Sequence, residues 1–536
     1  MNSNKKTTAN NPIMIWVPLM LAAAVSLGIF AGWKLQQSNR QSSLISKIDS
    51  EVVITQGRIE EILRYIDLKY VNQTNRDSLE AKVVNTILNE LDPFSVYLPA
   101  SKVSAIKSIT EASYEGLGME WAIYQDTPVV TRVIAESPAA MAGIQPGDQL
   151  ISVNDTASTG ANALPMMQYM RGPLNHSVSL EVLKMVNNQT KKLKLHYQMI
   201  KIPVIDAAMM VDDSTGYIRI NRFSTHTYGA FMEALEPLIE KQKMKNLILD
   251  LRQNPGGLLQ EAANLLSQMF EDKGKLLVYT EGRFYRRNEY RSTGHPFFSI
   301  GKIAVLIDEG TASASEVIAG AIQDYDRGTI IGRNSYGKGL VQEQYPLSNG
   351  AAIRLTVARY FTPSGRLIQR NFKHKEDYDL YFQTRLANGD LFRPDSNQIE
   401  KAKKYYTALG REVYELDGIR PDIFVPLDSI YINPLFRRSI QAMPGFVLDY
   451  YLLHKNTLPP THDALISDAK LRDDLFKAFE TQVSSVGALL KSKPSQKAKL
   501  SNELIANLAA QMFGKSAYYQ ALMPDDEMVK TALKQF

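Results

Sequence analysis

No cysteine occurs anywhere in the chain, which excludes disulfides, thiol nucleophiles and thiolate metal sites. Tryptophan is scarce at three residues, and histidine is limited to seven: His176, His196, His226, His295, His374, His454 and His462. Any acid–base chemistry therefore has few imidazoles to draw on. Charge of one sign is also lacking: a net +5 over 536 residues gives no case for nucleic acid. Long apolar runs are absent with one exception, residues 13–33, which carry no charge and hold Trp16 and Trp33 near their ends. Such a run is long enough to span a bilayer. It exceeds a signal-peptide core, and no small-x-small cleavage site precedes Lys34. The expectation is a single-pass signal anchor within residues 1–36, with the remainder outside the cytoplasm.

What is present is an ordinary globular composition, 44% apolar, long enough for three to four domains. Residues 44–110 carry apolar side chains at helical spacing, and the second helix ends at Asp92-Pro93-Phe94-Ser95, where proline disfavours helix in the residue before it. Residues 112–202 change to short alternating strands and turns. From 203 to about 430, apolar strands alternate with helices, predicting a layered α/β core. Residues 431–536 read as helical and carry no recognised chemical motif.

The stretch around which the rest is organised is Gly310-Thr311-Ala312-Ser313-Ala314-Ser315-Glu316. It follows the apolar strand 303–307 and opens an apolar-periodic helix, placing a serine hydroxyl where unpaired N–H groups can hold negative charge. Serine needs a base. No histidine is near in sequence, although partners meet in space, so His226 remains an alternative. A lysine can serve if burial keeps its amine neutral. Lys338 stands between Gly337 and Gly339, and Gln342 could orient its amine. The run 332–339 nearly spells a phosphate-binding loop, but Gly339 replaces the Ser or Thr that would ligate magnesium, and a strand-like pattern follows.

Together, Ser313-Ala314-Ser315-Glu316, Gly337-Lys338-Gly339 and Gln342 resemble the C-terminal processing (tail-specific) serine peptidases. The resemblance implies Ser313 as nucleophile, Lys338 as general base and Gln342 as its orienter, with no metal or cofactor. It also implies oxyanion donors from Ala314 and from Gly256 or Gly257 in Asn254-Pro255-Gly256-Gly257. The implied fold is an α/β (α+β) multidomain protein: transmembrane helix, helical region, PDZ-like β domain, peptidase core of the ClpP/crotonase-like type and helical C-terminal extension. Asp92-Pro93-Phe94-Ser95 resembles a family motif and is read as a structural element.

Residues 143–148, Gly-Ile-Gln-Pro-Gly-Asp, with the following strand, are similar to a PDZ domain. On that resemblance Gly116, Leu117 and Gly118 would offer free N–H groups to a terminal carboxylate, and Arg171 would couple peptide binding to activation. The implied protein is a serine endopeptidase of the inner membrane, working on the periplasmic side on proteins with free apolar C-termini. A homo-oligomer or an adaptor protein would be further partners. The competing reading is a scaffold that binds tails without cutting them.

Overall fold

The computed structural model describes residues 57–372, 378, 380–394, 400 and 402–536. The expected membrane anchor at residues 13–33 lies outside them. Among the described residues no helix is long and apolar enough to cross a membrane.

The chain divides into two units, the first ending at Val83. Its described part holds α1 (Arg58–Lys69) and the first half of α2 (Arg76–Asn89). Arg76 pairs with Glu60, Asp67 and Glu80, each at 2.7 Å.

The second unit runs from Val84 to Phe536. It opens with the end of α2, β1 (Val96–Leu98) and α3 (Ala100–Glu111). The β domain follows: β2 (Ser113–Gly116), β3 (Met119–Tyr124), β4 (Thr127–Val133), α4 (Pro138–Met141), β5 (Gln149–Val153), β6 (Thr156–Ala157), α5 (Ala163–Met166), β7 (Ser177–Lys184), β8 (Gln189–His196) and β9 (Gln198–Lys201). Six of these strands form a sheet, in the order β3-β4-β5-β7-β8 with β6 on β5, which leaves β3 at an edge. Its core is Leu117, Val130, Ile144, Leu150, Leu180 and Val182.

The α/β layer contains β10 (Ile205–Met210), β11 (Thr215–Ile220), α6 (Thr227–Glu240), β12 (Asn246–Asp250), α7 (Leu259–Ser267), β13 (Leu276–Glu281), β14 (Asn288–Arg291), β15 (Ile303–Ile307), α8 (Ala314–Asp324) and β16 (Thr329–Gly332). Beyond these lie β17 (Leu340–Pro346), β18 (Ala352–Phe361), α9 (Tyr381–Asn388), β19 (Lys403–Tyr406), β20 (Glu412–Glu415) and β21 (Ile423–Phe424). The main sheet has the order β10-β11-β12-β15-β16-β21, parallel except for β10. Its central strands read as unbroken apolar runs because both faces are covered. Ile218, Leu247, Leu249 and Val305 pack towards the helices, while Tyr217, Ile248, Ala304 and Leu306 fill the opposite face. A second sheet, β1-β18-β13-β14 with β17 on β18, carries Gln342 and Tyr360.

The C-terminal extension comprises α10 (Pro434–His454), α11 (His462–Ser467), α12 (Ala469–Gln482), α13 (Ser484–Ser492), α14 (Lys497–Phe513), α15 (Lys515–Leu522) and α16 (Glu527–Leu533). Most of it has a core of its own. Its last helix does not: Met528, Val529 and Ala532 are buried against Tyr217, Ile248, Ala304, Leu306 and Ile331. The extension, whose role the sequence leaves open, thus supplies part of the cover for the main sheet.

Candidate functional site

Ser313 sits where β15 gives way to α8, with φ 56° and ψ −117°. A non-glycine residue there carries strain of roughly 1–3 kcal/mol, sustained only if the surroundings hold it. They do. The Asn254 carbonyl accepts the Ala312 N–H at 3.0 Å and the Ser315 hydroxyl at 3.1 Å, one from each side of Ser313. The same bond decides between the serines: Ser315 is fully buried with its hydroxyl spent on Asn254, whereas Ser313 is half-buried.

One turn into α8, Glu316 is fully buried and accepts from four donors. Its Oε2 takes the Ser313 N–H at 2.7 Å and the Lys338 N–H at 2.9 Å. Its Oε1 takes the Gly337 N–H at 2.7 Å and the Ser335 hydroxyl at 2.5 Å. The carboxylate therefore ties two loops 25 residues apart in sequence to one pair of oxygens. Burial pushes its acid group up and the four donors pull it down, burial prevailing.

Lys338 projects from that second loop, mostly buried, with its Nζ 4.6 Å from the Phe94 ring centroid and donating to Gln342 Oε1 at 3.2 Å. Gln342 in turn donates to the Phe94 carbonyl at 2.6 Å. Burial holds the amine below the ordinary lysine value, Arg354 lowers it further, and Glu316 and Asp92 oppose the shift. Among the described residues no hydrogen bond joins Lys338 Nζ to Ser313. Tyr360 approaches both residues, its hydroxyl donating to the Lys338 carbonyl and reaching the Ser313 side chain. His226 is elsewhere, with its ring nitrogens 3.3 Å from the Ile202 carbonyl and 3.5 Å from Ser224 Oγ.

The reading of Asp92-Pro93-Phe94-Ser95 as structural alone is corrected. Asp92 accepts from the N–H groups of Phe94 and Ser95, both at 2.8 Å, and this turn presents Phe94 to the lysine and the glutamine. A sequence pattern cannot reveal such a role, since Phe94 and Gln342 are 248 residues apart. Tyr360 offers no signal either, being one more residue of an alternating strand. Glu316 does offer one: a carboxylate directly before the apolar run 317–322 of α8.

Of the loop donors, Gly256 gives its N–H to Asn254 Oδ1 at 2.9 Å. The N–H groups of Gly257 and Ala314 have no acceptor among the described residues. Gly256 is nevertheless packed against the serine: a Cβ there would lie 2.8 Å from both Ser313 Cβ and Ala314 N. Gly257 has φ +143°, and a Cβ there would fall 1.9 Å from the Phe223 carbonyl oxygen.

In the β domain the expectation of a free Gly-Leu-Gly loop needs correction at its centre. The Leu117 N–H donates to the Met170 carbonyl at 3.3 Å and its side chain is fully buried. Gly116 forms a bridge with Arg171, and Gly118 takes φ +77°, a turn that seats its carbonyl on the Ile134 N–H at 2.8 Å. The Arg171 guanidinium lies 4.7 Å from the Tyr114 ring centroid. These residues cluster at one end of edge strand β3, well apart in sequence from the serine.

Comparison with known proteins follows this division. Residues 214–379 match the model of peptidase family S41, a span containing Ser313, Lys338 and Gln342. Residues 129–184 match the PDZ domain. The chain is similar to the carboxy-terminal-processing protease of Bartonella bacilliformis, with 33% identity over 319 residues covering 58% of this chain and 72% of the relative. To carboxy-terminal processing protease CtpB of Bacillus subtilis it is 28% identical, covering 64% and 72%. Among solved structures it is similar to a photosystem II D1 C-terminal processing protease, at 27% identity, 68% and 86% coverage and a TM-score of 0.36.

Proposed function

This chain belongs to the carboxy-terminal processing proteases of peptidase family S41 and is a serine-type peptidase with a PDZ domain; from that premise we propose a Ser313–Lys338 dyad that cuts protein tails captured by the PDZ domain. The observation that carries the reading is Glu316, whose single oxygen binds the backbone of both residues. Lys338, whose burial favours the neutral amine, takes the Ser313 proton as Oγ attacks the scissile carbonyl. Its bond to Gln342 positions the amine, and proton transfer requires Nζ to come within hydrogen-bond reach of Ser313 Oγ in the substrate complex.

The N–H groups of Gly257 and Ala314 would stabilise the oxyanion, supported by the engagement of Gly256 with Asn254. Lys338 then returns its proton to the leaving amine as the C–N bond breaks. Water attacks the acyl-enzyme as its proton passes to Lys338, and Lys338 returns that proton to Ser313 Oγ as the ester C–O bond breaks and the acid product leaves. Tail capture rests on the PDZ match and the free edge of β3, to which an extended peptide can add as a strand. The uncharged run at residues 13–33 supports anchoring in the cytoplasmic membrane with the peptidase outside.

The test is cleavage of an unfolded protein ending in free apolar residues by wild type, Ser313→Ala and Lys338→Ala. Both variants should retain tail binding and lose at least about 1,000-fold in turnover. Activity surviving in Lys338→Ala would move the base to His226. Binding without cutting in the wild type would favour the scaffold.

A further inference from the structure

Beside edge strand β3 lies a cleft of about 660 Å³, within the ~300–1,000 Å³ usual for ligand sites. Met119 and Trp121 of β3 form one side, and Arg132 and Arg171 bring positive charge. Met167, Gln168 and Met170 of the β domain line it as well, but part of the lining comes from outside that domain: the corner between α14 and α15 contributes Phe513 and Lys515. Gly514, with φ +89°, makes that corner.

The corner is fixed at both ends. Gln511 donates to the Thr131 carbonyl of β4 at 3.1 Å, and Lys515 pairs with Asp206 of β10 at 3.2 Å. Phe513 stays 37% exposed, with its ring edge-on to His462 at 6.2 Å, so much of its apolar surface has no cover. Charge around the cleft is unbalanced. Arg132 is matched by Glu120 at 3.2 Å and Lys515 by Asp206, whereas Arg171 has no carboxylate partner among the described residues. The Leu117 N–H is already taken by the Met170 carbonyl, so a terminal carboxylate entering here has one loop donor fewer and gains from the side-chain cations beside it.

We propose that the α14–α15 corner is the outer wall of the tail-binding cleft, with Phe513 and Lys515 specificity-determining for an apolar tail ending in a free carboxylate. This deepens, and rests on, the reading of the β domain as the tail receptor. The tail lies between β3 and the corner, its side chains against Trp121 and Phe513 and its carboxylate within the field of Arg171 and Lys515. The wall comes from the C-terminal extension, so the tails this chain selects are set partly outside its PDZ domain.

The test uses the full chain carrying Ser313→Ala, so that bound peptide is not cut, with a fluorescent peptide ending in apolar residues as free acid or as amide. Binding is read by anisotropy, and thermal unfolding checks each variant; Phe513 and Lys515 are both exposed, so folding should survive. Phe513→Ala and Lys515→Glu should each weaken the free acid at least about five-fold. Lys515→Glu should also narrow the gap between acid and amide, while Lys192→Glu, on exposed β8, should do neither. The inference is overturned if Trp121→Ala weakens binding but both corner variants bind within about two-fold of the parent. If the parent does not bind the free acid, or Trp121→Ala leaves binding unchanged, the tail-receptor reading fails and this inference with it.

Discussion

Glu316 and Lys338 are joined through the lysine's own backbone: Glu316 Oε2 accepts its N–H at 2.9 Å and holds the N–H of Ser313 at 2.7 Å. The carboxylate contacts neither reacting atom, yet it fixes the two residues on which the proposed dyad depends.

Replacing Glu316 by Gln keeps the shape and turns one acceptor oxygen into a donor facing N–H groups. Each stranded buried donor costs roughly 1–3 kcal/mol. Glu316→Gln should therefore lower the unfolding temperature and reduce kcat at least about 100-fold, with KM changed much less. Steady-state kinetics on a soluble peptide substrate, beside thermal unfolding, would measure both; wild-type kcat would rule out the staple.

Lys338 acts only as the neutral amine, so activity should climb with pH through its lowered pKa and fall away on the acid side. Arg354 is one cause of that lowering. Arg354→Met removes the repelling cation, raises the pKa and moves the acid limb to higher pH. A pH profile of kcat/KM for the two proteins tests the sign, and an unmoved or acid-shifted limb would contradict it.

Gln342→Glu makes the opposite kind of change, setting a carboxylate 3.2 Å from the amine in place of an amide oxygen. An anion there favours protonated lysine. Turnover should drop at neutral pH and recover in alkaline buffer. A uniform loss at every pH would mean that Gln342 orients without tuning.

Gly257→Ala puts a methyl carbon 1.9 Å from the Phe223 carbonyl and asks alanine to adopt φ +143°. The loop must shift, and with it the donor proposed for the oxyanion. Loss of such a donor costs about 100–1,000-fold in kcat. Single-turnover acylation of the folded variant would measure it; unimpaired acylation would take Gly257 out of the site.

The extension is tied to the sheet by Asp526, which caps α16 and pairs with Arg252 at 2.7 Å, two residues before Asn254. Asp526→Ala should destabilise the protein by about 1–3 kcal/mol, lowering the midpoint by a few degrees. Thermal denaturation monitored by circular dichroism reads this directly, and an unshifted midpoint would make α16 dispensable.

Sequence alone determined what local chemistry can encode. Unbroken apolar runs such as 303–307 announce strands covered on both faces, and small residues beside Ser313 announce a tight strand-to-helix junction. The motifs around Ser313 and Lys338 mark the family without reference to the fold. Only the tertiary structure decided which groups meet. Phe94 reaches Lys338, and Glu316 reaches the Lys338 backbone, through contacts that no periodicity records. It also decided which donors remain open: Gly257 and Gly256 are neighbours in sequence, but only Gly256 is taken by Asn254. The same holds for Leu117, whose N–H reads as free in sequence and is closed by Met170. Hydrogen-bond occupancy depends on partners brought from elsewhere in the chain, and those partners are set by folding rather than by neighbouring residues.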